Sequence, residues 1–228
     1  MTHARDERLA VCDLLDKLGP DQPTLCAGWR TTDLAAHLVV RERRPDAALG
    51  VIGGPLAGHT RRVQGRLTGQ TPFPQVVELI RTGPPRASVF GLPGVDARLN
   101  VVEYFMHHED VRRAQPGWEP RDLDPGLSDL LWRQLGHARL MLRKAPVGVE
   151  FAREGDAGGT AAGGDGRGDG GPAAPVRITA KARAPMVTVT GTPAELTMWA
   201  FGRAEAARVR LTGSDPDVAA LASGRWRS

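Results

Sequence analysis

The stretch from Asn100 to Ala114, NVVEYFMHHEDVRRA, places two imidazoles and three carboxylates within a few turns of what otherwise reads as a helix. A solvated charged face has no need of histidine, and a buried face carries charge only where something pairs with it. Residues four apart on a helix stand one above the other, so Glu103 and His107 share a stripe that runs on to Asp110. A carboxylate and an imidazole arranged in this way offer two metal ligands from one rigid element. Zinc takes nitrogen, sulfur and oxygen donors, and a catalytic zinc uses three protein ligands and one open position. Asp110, three residues beyond His107, is placed to hold the second ring nitrogen as an outer partner. His108 is turned about 100° from His107, away from Glu103. His108 and Glu109 are therefore expected at solvent or at the rim of the site.

The third ligand must come from another segment. Of the remaining histidines, His3 is terminal, His59 falls in a glycine-rich stretch, and His137 lies on the polar side of its helix. His37, in the middle of TTDLAAHLVVRE, is left. The expected set is His37, Glu103 and His107. Zinc is the first expectation for the ion, although two histidines and a glutamate also suit nickel, cobalt or iron. The E-x-x-x-H pair is less specific than paired C-x-x-C motifs, and a hydrogen-bonded core role for these histidines stays open. Cys26 precedes a helix whose N-terminus can lower a thiol pKa, yet a small buried hydrophobe is the simpler reading. Trp29, just ahead of the same helix, is expected to staple it to its neighbours.

The elements that must position these groups are marked by periodicity and punctuation. Apolar residues at Leu9, Cys12, Leu15 and Leu18 predict a helix over 4–18, stopped by Gly19-Pro20. A second helix is expected at about 32–44, capped by Thr31 or Thr32 and ended by Pro45. Residues 50–72, rich in glycine and polar side chains, read as a long excursion. Short helical spacing returns at 73–82. Asp96 can cap a helix over 97–114, and another is expected at 124–143. Beyond Pro146 the texture changes to short β-branched runs, VGVEFAR, VRITAKA, MVTVTG and AARVRLTG, which predict strands. Helices are expected at 192–203, capped by Thr192, and in SDPDVAALAS. The stretch 154–174 carries nine glycines and is expected to be a loop that packs no core. The predicted architecture is an all-α half of four main helices over 1–145, followed by a small α+β domain over 146–228.

Bulk properties limit the function classes. At 228 residues, with 41% hydrophobic and 25% charged content, the chain can bury a sizeable core as one domain or two modest ones. Net charge is +4 and the pI is near 9.7. The 30 basic side chains are offset by 26 acidic ones, with no polybasic block or aromatic-laced basic stripe, so nucleic acid is not an expected partner. Two cysteines, Cys12 and Cys26, make no disulfide framework and fit a reducing compartment. There is no apolar run long enough for a membrane span and no signal-peptide core at the N-terminus. A soluble, cytoplasmic protein is the expectation.

Two segments carry a family resemblance. LCAGWRTTDLAAHLVVRE (25–42), followed far downstream by VVEYFMHHEDVRRA (101–114), resembles the DinB-like, mycothiol-dependent maleylpyruvate isomerase superfamily. GTPAELTMWAFGR and VRLTGSDPDVAAL are similar to the ending of that family's small C-terminal domain. The resemblance implies a DinB-like four-helix bundle with metal ligands at His37, Glu103 and His107. It also implies mycothiol, a low-molecular-weight thiol of actinobacteria, as co-substrate. The implied activity is isomerase or transferase chemistry on a small electrophilic, acidic substrate. Arg41 and Arg203 are then the candidate cations for a substrate carboxylate, because a guanidinium fork grips one bidentately; Arg203 reads equally as a helix C-terminal cation. Glu109 stands where the family usually has an aromatic, giving HHED. That variant resembles a subgroup known as metal-binding rather than by an assigned reaction. A non-enzymatic metal-binding protein is therefore the alternative.

Overall fold

Val11, Cys12 and Leu15 wind onto one face of α1 (His3–Leu18), and each is fully buried. The computed structural model describes residues 2–44, 57–85, 95–154 and 176–227. Among them are eight helices and one four-stranded sheet, a mixed α and β chain that is mostly helical. They form two units, Met1–Pro120 and Arg121–Ser228.

In the first unit α1 packs along α5 (Val95–Arg112) and α4 (Phe73–Arg81), while α2 (Thr31–Arg43) packs on α4 and on α3 (Ala57–Gln70). Leu34, Leu38, Val76, Val77, Ile80 and Tyr104 close the core around α1. Cys12 donates to the Val77 carbonyl at 3.8 Å, and burial pushes its pKa up to about 12. It is an inert core thiol.

Three expectations change here. The excursion at 50–72 contains α3, because Val63 and Leu67 pack against Val40 of α2 despite the intervening glycines. The N-cap of α2 is Arg30. Its backbone N–H donates to Asp33 Oδ2 at 2.9 Å, while the Thr31 hydroxyl donates to the Gly19 carbonyl at 2.6 Å and ties α2 to the end of α1. Helix α5 begins at Val95, so Asp96 stands within its first turn rather than ahead of it.

In the second unit α6 (Pro125–Leu135) starts at Asp124, whose Oδ1 accepts from the backbone of Gly126 at 2.9 Å and Leu127 at 3.3 Å. It stops at Leu135 instead of running on to 143; a 3₁₀ turn follows at Ala138–Leu140. The sheet has the order β2-β1-β3-β4, from β1 (Gly148–Arg153), β2 (Arg177–Lys181), β3 (Met186–Gly191) and β4 (Arg210–Thr212). β1 runs antiparallel to β2 and parallel to β3, with Phe151 opposite Val189, and β3 runs antiparallel to β4. Helices α7 (Pro193–Ala200) and α8 (Asp215–Ala222) pack on β3. Trp132, Leu135, Phe151, Val189, Leu196 and Trp199 share one core. Helix α6 thus belongs with α7, and the division falls at 120/121 rather than near 145. Apart from Glu154, the glycine-rich stretch 154–174 lies outside the described residues. No helix among the described residues is long and apolar enough to cross a membrane.

Candidate metal centre

The α5 stripe forms as the spacing predicts. His107 Nε2 lies 3.3 Å from Glu103 Oε1, one turn away, and His107 Nδ1 lies 3.0 Å from Asp110 Oδ2. From α2, His37 Nε2 reaches the same Glu103 oxygen at 3.1 Å. The two imidazole rings meet edge to face, with centroids 4.8 Å apart at 72°. One donor atom from each of His37, Glu103 and His107 can be chosen so that all lie within 4.8 Å of one another. Ligand atoms bound tetrahedrally at about 2.0–2.1 Å stand roughly 3.3 Å from each other. The two observed edges match that spacing, and the donor set is one that zinc accepts.

The surroundings aim these atoms. Asp110 is fully buried and takes the Nδ1 side of His107, leaving Nε2 for the centre; a carboxylate behind a ligating histidine fixes its tautomer in this way. Arg41 places Nε 3.2 Å from Glu103 Oε1 and donates through Nη1 to Asn100 Oδ1 at 2.6 Å. Its guanidinium is thus engaged with a candidate ligand. The Trp29 ring stands 5.1 Å from that of His37, so the tryptophan walls the site. Cys26 Sγ donates to Asp110 Oδ2 at 3.2 Å, and the backbone N–H of Leu25 donates to the Asp110 carbonyl at 3.0 Å.

Burial is the largest influence on all three candidate ligands in the metal-free protein. For His37 it prevails and holds the pKa below the ordinary imidazole value despite the Glu103 hydrogen bond. For Glu103 burial pushes upward, but hydrogen bonds from His107 and His37 outweigh it and hold the carboxyl well below its usual range. For His107 burial pushes downward, yet Asp110, Cys26 and Glu103 together raise it well above an ordinary imidazole. The two rings are thus shifted in opposite directions, a separation that unlike environments impose on neighbouring titratable groups. Glu103 Oε1 gathers three nitrogens that must each bring positive character. Protons supply it in the metal-free protein, and a cation can replace those on the two imidazoles.

His108 and Glu109 are not at solvent; both are buried. His108 Nδ1 lies 2.8 Å from Glu7 Oε2 of α1. Glu109 pairs with Arg113 at 2.6 Å and Arg112 at 3.0 Å, and the Arg113 guanidinium lies 4.7 Å over the Trp118 ring. Arg203 belongs to the second unit, where Nη1 donates to the Phe201 carbonyl at 2.9 Å at the end of α7. Sequence reasoning missed Asn100 as the anchor of Arg41; its position one turn before Glu103 is the only signal it left. The weight given to a buried, inert Cys26 missed its bond to Asp110. Comparisons of the chain with protein-family models, with curated proteins and with solved structures found no match.

Proposed function

We propose that the first unit holds one divalent ion, zinc in the first instance, through His37, Glu103 and His107, and uses it for thiol chemistry. The convergence of three ligand-type atoms on one point, from helices far apart in sequence, is the observation that carries this reading. Its sequence segments resemble a DinB-like bundle whose thiol is mycothiol, which supports mycothiol as co-substrate of an isomerase or transferase.

A divalent ion held there by His37, Glu103 and His107 would supply Lewis acidity that lowers the pKa of a thiol ligand toward neutral pH. The residues of the chain do the rest. Asp110 holds the His107 ring with Nε2 inward. Arg41, anchored by Asn100, holds Glu103 against the two imidazoles. The nucleophile is the thiolate sulfur. Its addition to a polarised double bond, rotation and expulsion of the same thiolate constitute an isomerisation, whereas a C–S bond that is kept gives a transferase. On this reading Arg41 positions a ligand.

That commitment of Arg41 also favours a second reading, a metal-holding protein without turnover. The fourth coordination position separates the two: a cobalt-substituted protein whose spectrum shifts on adding a small thiol has an exchangeable site, and one that does not respond has a closed one.

Elemental analysis of wild type beside His37→Ala and Glu103→Ala tests the centre itself. About one ion per chain is expected in wild type, with loss in both variants. Wild-type protein that retains no stoichiometric metal after reconstitution would overturn the proposal.

A further inference from the structure

His107 has two ring nitrogens, and the chain has built donors against both. On the Nδ1 side stand Asp110 Oδ2 at 3.0 Å and, 3.2 Å from that same oxygen, Cys26 Sγ. Donor atoms of Cys26, His107 and Asp110 lie within 4.8 Å of one another, as compact a group as the first. The thiol is held in place by its backbone: Cys26 N–H donates to Thr24 Oγ1 at 3.2 Å, and its carbonyl accepts from Trp29 N–H at 2.9 Å. Asp110 and His107 are buried while Cys26 is half-buried, so the thiol marks the side of entry.

We propose that Cys26, His107 and Asp110 form a second cation site, selective for thiophilic ions, that shares His107 with the His37 centre and excludes it. The selectivity follows from the donors, because thiolate sulfur favours soft ions whereas imidazole and carboxylate suit borderline and harder ones. The exclusion follows from the ring. An ion on Nε2 leaves Nδ1 protonated toward Asp110, and an ion on Nδ1 leaves Nε2 protonated toward Glu103. Filling both at once would require His107 to lose both of its protons. Occupation of the second site breaks the Cys26 S–H and His107 Nδ1–H bonds, releases both protons to solvent and forms sulfur–metal and nitrogen–metal bonds. No electron is transferred.

The test uses the intact chain with two ions, cadmium(II) as the thiophilic one and cobalt(II) as the borderline one. Cadmium is expected to raise an ultraviolet thiolate-to-metal absorption that saturates at about one equivalent and to displace cobalt mole for mole. Cys26→Ser is expected to lose that absorption and still to take up about one equivalent of cobalt, which also shows that the variant is folded. His37→Ala is expected to lose cobalt and keep the cadmium absorption. Absence of the thiolate band, its persistence in Cys26→Ser, its loss in His37→Ala, or simultaneous binding of both ions would each overturn the second site. Cobalt binding that depends on His37 survives all of those results, so the two proposals stand or fall separately.

Discussion

At the scale of single residues the centre depends on which proton a metal ion must displace. Hydrogen bonds with Asp110, Cys26 and Glu103 raise His107 in the metal-free protein, and a ligating imidazole must be deprotonated at the binding nitrogen. Apparent metal affinity should therefore climb with pH and keep climbing above the ordinary imidazole value of 6.5, where an unperturbed histidine would already have levelled off. Asp110→Asn separates two consequences of one hydrogen bond. The lost negative charge weakens His107 as a ligand, by about 10-fold to 100-fold, and it also lowers the pKa, so fewer protons compete. The affinity ratio of wild type to variant should thus be largest on the alkaline side and shrink toward acid, as measured by chelator competition across pH. A ratio independent of pH would mean that Asp110 acts on packing alone. Glu103, His107 and Asp110 were legible in the sequence because one helix carries all three and helical geometry fixes their relation. Arg41 was legible as a cation near the centre but not as a partner of Asn100, since that bond joins two helices.

At the scale of elements, α5 departs most from a simple sequence reading. Glu7 of α1 meets His108, Arg41 of α2 meets Asn100, and Glu109 pairs along the helix with Arg113. The helix is polar on several faces and still buried, so amphipathicity gave no guide to its solvent side. This is why His108 and Glu109, sorted outward by rotation from His107, proved to be inside. Helix α3 failed for the opposite reason: with glycines at 58, 65 and 69, its intrinsic preference for helix is low, and contact with α2 overrides it. Breaking a buried ion pair by removing one partner costs about 3–5 kcal/mol. Glu109→Ala takes away the acceptor used by both Arg112 and Arg113 and should lower stability by about that much in denaturant unfolding. The folded fraction should retain wild-type metal stoichiometry, because Glu109 contributes nothing to the ligand set. Loss of metal from folded Glu109→Ala would place the residue in the centre after all.

At the scale of the whole molecule, every donor discussed lies in Met1–Pro120, and the second unit has a core of its own. The change from helical to strand periodicity put the boundary near 145, and the strands are where it expected them. What periodicity could not tell is which neighbour covers the apolar stripe of α6. Leu127 and Leu131 declare a buried face without naming its partner, and contact with α7 assigns it to the second unit. A segment of about 100–150 residues with its own core is of ordinary domain size, so a fragment spanning 1–120 should fold and bind the same ion with the affinity of the full chain. Isothermal titration of both proteins measures this directly. Arg203→Ala in the full chain should likewise leave metal affinity unchanged, since its guanidinium serves the end of α7. Equal affinity would confine metal binding to the helical unit. A fragment that is helical and cooperative yet binds about tenfold more weakly would show that metal binding needs more than residues 1–120.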